Sequence, residues 1–350
     1  MSKPRSTEEA GPLLAWASDN FAPAHPAVLS AVQAANEGYA IAYGGDPLTK
    51  SLQEDLLRYF PSMTHCCLVA NGTGANVLAL RLALKPWESV LCSEIAHIAC
   101  QESGSAEAVV GAKLILVPTS SKGLVTVEEL DRTFQDEVFF GRHATRPGVV
   151  SITQPTELGA IYSLEALAQI RAWCTERGLL MHVDGCRLWN AAAALKVSLH
   201  EASGGCDLLS IGVTKLGAMM AEALLVGPKV DATGMLHLQK QMLQLLSKTR
   251  FVAAQFQAML QKDLWRSLAE TANARTSELA AALTAHNVRL VHPPETNQLF
   301  VQVHPARVDQ ILKSLWVWPW DRTGGILRCV GNWSTTQVDV ARAVRYLSQA

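Results

Sequence analysis

The chain has little of what several functional classes require. Its 30 lysines and arginines balance 31 aspartates and glutamates without a basic tract, so the formal charge of -1 offers no general attraction for nucleic acid or anionic lipid. Its eight cysteines (Cys66, Cys67, Cys92, Cys100, Cys174, Cys186, Cys206 and Cys329) form no C-x-x-C pair. A chain of this size needs no disulfide staples, and they read as reduced core thiols of a cytosolic protein. Long apolar runs are missing too: the longest, around Leu216 to Gly227, is interrupted by Glu222 and falls far short of a bilayer span. The opening residues, MSKPRSTEEAGPLL, mix charges of both signs and lack the apolar segment of a secretory signal; a mobile arm is expected there. Internal repeats and low-complexity tracts are absent. What is left is a soluble chain of 350 residues, long enough for one large α/β domain and a smaller second one.

Against that background the stretch from Gly178 to Val226 stands out. Leu179-Leu180-Met181-His182-Val183 reads as a buried parallel strand, and Asp184 sits where that strand would stop. A second run, Asp207 to Val213, leads into Thr214-Lys215. Ligands of open α/β sheets bind beyond the carboxyl ends of the strands, which puts a carboxylate and an amine where a site would be. Pyridoxal phosphate needs both: a lysine to hold its aldehyde as a Schiff base, and an acid to keep its ring nitrogen protonated. Taken singly, Asp184 is equally a helix cap and Lys215 a solvated turn residue, so the pair carries the reading.

Upstream, Cys66 to Ala70 reads as a strand running into Asn71-Gly72-Thr73-Gly74-Ala75-Asn76 and an apolar helix, Val77 to Leu84. A strand, a glycine-rich turn and a helix start present backbone N–H groups to an anion, which makes a phosphate cradle. Gly72-x-Gly74 with Glu94 about 20 residues on also hints at a dinucleotide site, but Val77 holds the place of the third glycine. Further strands are expected at Glu88 to Cys92, Lys113 to Val117 and Gly148 to Thr153, with helices from Thr126 and from Ser163 to Arg177, stopped by Gly178. That βαβα order predicts a parallel sheet. His97, after Glu94-Ile95-Ala96, is either a ring-stacking residue or an ordinary partly buried histidine. Two long helices are expected at Asp231 to Leu246 and Lys248 to Leu260. Beyond Leu264 the pattern changes to a small α+β domain, with Arg328 on its last strand as the functional suspect.

These pieces together resemble the low-specificity L-threonine aldolases of the fold-type I pyridoxal phosphate enzymes, from about Ala17 to Ala341. The resemblance is carried by Ala17-Ser18-Asp19-Asn20, Gly72-Thr73-Gly74-Ala75-Asn76, Ala96-His97-Ile98, Ser151-Ile152-Thr153-Gln154, His182-Val183-Asp184-Gly185-Cys186-Arg187, Thr214-Lys215-x-Gly217, Ser247-Lys248-x-Arg250-Phe251, and Arg328 near Asn332-Trp333. It implies an α/β fold-type I transferase-like large domain, its mostly parallel sheet covered by helices, and a small C-terminal α+β domain. The expected bounds are an arm at 1–15, a cofactor domain at 16–245 and a small domain at 246–350.

The same resemblance implies roles. Lys215, following Thr214, holds the cofactor's aldehyde; Asp184 pairs with its ring nitrogen; Gly72, Thr73 and Gly74 hold its phosphate; His97 stacks on its ring. Arg187 approaches the phenolate oxygen or the substrate carboxylate, and Ser18 with Arg328 completes a carboxylate clamp, for which a forked guanidinium suits better than an ammonium. The implied reaction is retro-aldol cleavage of a β-hydroxy-α-amino acid to glycine and an aldehyde in a homo-oligomer, a dimer or dimer of dimers, where Lys240, Lys248 or Arg250 reaches a neighbour's phosphate. No metal site, nucleic acid or membrane is implied. Many relatives carry a histidine where this chain has Thr156-Glu157, which leaves the base between His97 and Glu157; a carboxylate in that role needs a raised pKa. Leu216 and Cys186 also depart from the family's usual residues. Competing readings are L-phenylserine cleavage, β-elimination on the same scaffold, a nicotinamide enzyme, and a cofactor-silent scaffold.

Overall fold

The apolar runs assemble into a seven-stranded and a four-stranded sheet, in a computed structural model that describes residues 15–348. The expected arm at 1–15 therefore lies, except for Ala15, outside the described residues. The chain divides into two units: Pro23–Glu270, and the residues up to Ala22 together with Thr271 onward. The division falls after Glu270 rather than at 245/246, and the short stretch before Pro23 joins the smaller unit.

In the larger unit the strands are β1 (His65–Val69), β2 (Glu88–Ser93), β3 (Lys113–Val117), β4 (Arg146–Thr153), β5 (Leu180–Gly185), β6 (Leu208–Gly212) and β7 (Glu222–Val226), ordered β1-β7-β6-β5-β4-β2-β3. From β6 to β3 all neighbours are parallel, whereas β7 runs antiparallel to both β1 and β6. The strands read as unbroken apolar runs because the sheet is covered on both faces; every residue of β6 is buried.

The helices of this unit are α1 (Pro26–Ala35), α2 (Pro47–Tyr59), α3 (Gly72–Ala83), α4 (His97–Cys100), α5 (Val127–Phe139), α6 (Leu164–Arg177), α7 (Leu188–Leu195), α8 (Leu199–Ala202), α9 (Met235–Gln241), α10 (Arg250–Leu260) and the start of α11 (Leu264–Ala285). Helix α10 packs on α1 and α2, which keeps it in the larger unit. Ser163 caps α6 by accepting from Ala166 N at 3.1 Å, and Gly178 ends it with φ 67°. Two helices differ from expectation. Helix α3 starts at Gly72, five residues earlier, because the Asn71 side chain caps it through Gly74 N at 2.7 Å. Helix α9 has seven residues instead of the expected sixteen, since Leu243 (φ 62°) turns the chain back after Met242.

The smaller unit holds β8 (Arg289–Leu290), β9 (Gln298–Gln302), β10 (Trp318–Asp321) and β11 (Ile326–Val330), antiparallel in the order β10-β11-β9-β8, with α12 (Val308–Leu312) and α13 (Gln337–Ser348). Its core gathers Leu279, Leu299, Leu315, Leu327 and Leu347 around Trp16. Trp16 is tied in by its carbonyl, which accepts from Val330 N at 2.6 Å. The spacing of three and then four residues between Val340, Ala343 and Leu347 places them on the buried face of α13.

Candidate active site

Every parallel strand that carries a suspected residue delivers it to one edge of the sheet. Strand β5 ends at Asp184-Gly185, β6 leads to Thr214-Lys215, β1 to Asn71-Gly72, β2 to His97 and β4 to Glu157. Because β7 is antiparallel, it begins at that same edge, with Glu222.

Asp184 is buried, accepting from Asn76 Nδ2 at 3.0 Å on one oxygen and from Cys186 N at 3.1 Å on the other. Burial alone would raise this carboxyl; Lys215, His97 and the Asn76 hydrogen bond outweigh it and hold the group below the usual aspartate range. It is an ionised acid in a dry place. Beneath it on β5, His182 contacts Ser151 Oγ at 2.8 Å and Ser210 Oγ at 3.0 Å, and burial pushes the imidazole down to about 4, so it stays neutral.

His97 is half-buried, its Nδ1 2.7 Å from Glu102 Oε1. Asn76 Nδ2 also donates to Glu102 Oε1, at 2.8 Å, so one amide bridges Glu102 and Asp184. His97, Glu102 and Asp184 bring ligand-type atoms within 4.8 Å of one another. The amide donor between the two carboxylates already serves both, which suits a hydrogen-bonded frame rather than a cation cage. Glu157 is buried; its Oε1 accepts from Thr153 Oγ1 at 2.6 Å and from His97 N at 2.9 Å. Burial, with a contribution from Asp184, pushes its pKa up against those hydrogen bonds. This is the raised carboxyl that the base role asks for. Thr156 is structural: its hydroxyl donates to Lys122 O at 2.8 Å.

Lys215 is half-buried and hydrogen-bonded to the Cys186 thiol, which burial pushes up to about 11. The Thr214 hydroxyl accepts from Ala221 N at 3.1 Å and bonds the Glu222 side chain, fixing the turn that carries the lysine. Arg187 follows two residues after β5, half-buried, with Nη1 4.0 Å from Cys186 Sγ. At the α3 N-terminus the first amides have no acceptor within the helix. Gln244 lies against Gly74 so closely that a Cβ there would overlap its amide group, and Gln244 Oε1 accepts from Ala70 N at 3.2 Å. A side chain at 74 would have to displace the Gln244 amide, so glycine there lets Gln244 lie against the backbone.

Glu102, Glu222 and Gln244 are the site-edge residues that sequence reasoning missed. Of these, Glu222 alone left a signal, as the one charge inside an apolar stretch.

Ser18 and Arg328 belong to the smaller unit. Ser18 Oγ accepts from Asn20 N at 3.2 Å, and the Arg328 guanidinium donates to Ala17 O at 3.3 Å with its carbon 5.6 Å from the Trp320 ring centre. Arg250 donates to Gly38 O at 3.0 Å, and Lys240 lies 5.4 Å from the Tyr43 ring centre, so both have partners within the chain.

A phosphorylated pyridine aldehyde fits these groups. A dry anionic oxygen pair suits a protonated ring nitrogen, an amine stands at the end of the adjoining strand, and a helix N-terminus with glycines at its first and third positions suits the phosphate.

Over residues 16–306 the sequence matches the family model described as beta-eliminating lyase. It is 36% identical over 306 residues to the low specificity L-threonine aldolase of Pseudomonas aeruginosa, covering 86% of this chain and 87% of that protein. It is 32% identical over 332 residues to the enzyme of the same name from a Pseudomonas species, covering 93% and 94%. Among solved structures, the threonine aldolase of Leishmania major superposes with a TM-score of 0.88 at 27% identity, over 95% of this chain and 97% of that one. The architecture is that of the fold-type I pyridoxal phosphate enzymes.

Proposed function

This chain belongs to the beta-eliminating lyase family, and from that premise we propose that it is a pyridoxal phosphate-dependent aldolase. It cleaves the Cα–Cβ bond of L-threonine, L-allo-threonine and related β-hydroxy-α-amino acids to glycine and an aldehyde. The observation that carries the reading is the pair formed by ionised, buried Asp184 and Lys215 at the ends of adjacent strands.

The cofactor, when bound, supplies an electron sink for the pair of electrons left on Cα. Lys215 holds its aldehyde carbon between turnovers. Asp184 keeps the ring nitrogen protonated; its negative charge is maintained by Lys215, His97 and Asn76 in a water-poor setting, where it is worth more than at the surface. Gly72, Thr73 and Gly74 at the α3 N-terminus would hold the phosphate, and the His97 imidazole, steadied by Glu102, would stack on the ring. Arg187 takes the phenolate oxygen, and Ser18 with Arg328 the substrate carboxylate.

For the β-hydroxyl proton we assign Glu157 as acceptor. Both of its donors converge on Oε1, and burial gives it the basicity that an exposed carboxylate lacks. His97 is left to the ring.

We further read the chain as a cytoplasmic homo-oligomer. All eight cysteines are free, and no described helix is long and apolar enough to cross a membrane. Tyr39, Ile41, Tyr43, Met220 and Leu243 are exposed on the larger unit, apolar side chains of the kind that a second copy would cover.

The test is release of glycine and aldehyde from L-threonine, L-allo-threonine and L-phenylserine. Cleavage of the first two is expected, with Arg328→Lys raising the apparent KM. Turnover of L-phenylserine alone would shift the assignment to that substrate, and no release from any of them would contradict the aldolase reading.

A further inference from the structure

Glu222 is a half-buried residue at the site edge for whose carboxyl the proposed chemistry has no task. It opens β7, and its register pairs it with Val69 of β1 on one side and Gly212 of β6 on the other. The chain leaves β1 for the Gly72 turn and leaves β6 for Thr214-Lys215, so this carboxyl stands between the phosphate cradle and the lysine turn. Its Oε2 lies 3.9 Å from where a Cβ on Gly72 would stand. It covers Gly212 so closely that any Cβ there would overlap it, which makes glycine at 212 a condition of its placement.

Thr214 holds the carboxyl through its hydroxyl and its backbone N–H. Of the charged groups that face it, Lys215 favours its ionised form and Asp184 opposes it; β1 and α3 contribute only Val69 and the uncharged Gly72 at this point.

We propose that Glu222 gates the phosphate cradle through its own proton: the cradle accepts a phosphate monoester when Glu222 is a neutral acid and disfavours it when Glu222 is a carboxylate. The inference rests on the cofactor reading above. An ionised carboxylate beside Gly72 puts a second negative charge, poorly screened, next to the phosphate, whereas the neutral acid adds none. Burial pushes this carboxyl up to about 7, so the gate changes state near neutrality.

The probe is pyridoxine 5′-phosphate, which has no aldehyde for Lys215 to capture, titrated into the dialysed full chain and followed by calorimetry. A phosphate monoester has its second pKa near about 6, so above about pH 7 the phosphate is already a dianion, while the ring nitrogen titrates alike in pyridoxine and its phosphate, so the difference between these two ligands reports the protein's response to the phosphate. The wild-type affinity is expected to fall by up to about tenfold per pH unit above about pH 7. Glu222→Gln, equal in size and never charged, is expected to show a shallower fall over the same range. Pyridoxine, which lacks the phosphate but shares the ring nitrogen, should also fall less steeply than its phosphate with the wild-type chain, a comparison that needs no variant to fold.

An equal fall for wild type and Glu222→Gln, or a parallel fall for pyridoxine and its phosphate, overturns the gate and leaves the cofactor reading standing. Failure of pyridoxine 5′-phosphate to bind at any pH overturns both.

Discussion

Three of the carboxyls at one sheet edge divide into two charge behaviours, and their surroundings decide which. Asp184 is held ionised by Lys215, His97 and Asn76 despite burial, whereas Glu157 and Glu222 are raised because burial wins over their hydrogen bonds. A residue that takes the β-hydroxyl proton must be ionised first, so with Glu157 as base the rate rises as pH climbs through its raised pKa. Glu157→Gln is expected to lose that rising limb and to lower kcat by roughly 10²- to 10⁴-fold. Its pH–rate profile decides the assignment: a variant that keeps the limb at near wild-type kcat would return the role to His97. Asp184 and Lys215 stand out in the sequence only as a pair at the ends of two apolar runs, since each alone reads as a helix cap or a turn residue. Glu102 and Gln244 do not. Each meets the site only through the folded chain, Glu102 by bonding His97 and Asn76, Gln244 by folding back over Gly74 after the turn at Leu243.

At the scale of elements, the parallel strands and capped helices follow from local signals, and the exceptions have local causes. Asn71 moves the start of α3 back to Gly72, and left-handed Leu243 shortens α9. Strand β7 escaped notice because its apolar residues continue those before it, and only the turn at Thr214 to Gly217 reverses the chain; Gly217 N donates to Thr214 O there at 3.3 Å. That reversal plants Glu222 inside the sheet, with a measurable consequence. Unfolded, its carboxyl titrates near 4.5; folded, it is pushed up to about 7. Between those values the folded chain keeps a proton that the unfolded chain has released, so stability falls as pH rises through this window. The whole effect is about 3 kcal/mol. Glu222→Gln is expected to remove it, so the variant's Tm should gain on the wild type between about pH 5 and about pH 8. Melting curves at the two pH values check this, and a constant difference between the chains would mean that the carboxyl is not raised by folding.

For the whole molecule, composition excluded more than it identified, and the fold class became legible only through the order of strands, turns and helices. The position of the division after Glu270 was not legible, because α10 sides with α1 and α2 by packing rather than by any break in the sequence. The proposed self-association rests on the exposed apolar side chains of Tyr39, Ile41, Tyr43 and Leu243. Replacing Ile41 and Leu243 by serine is expected to shift the sedimentation coefficient toward that of a single chain, and a wild-type protein that already sediments as one chain would refute the oligomer. Lys215 is proposed to bind a pyridoxal phosphate aldehyde covalently. The most direct test is borohydride reduction of the purified, cofactor-loaded protein followed by peptide mass mapping. The account predicts that the visible absorbance band is bleached and that the reduced pyridoxyl label sits on Lys215 alone; a label on another lysine, or none after cofactor is added, would contradict it.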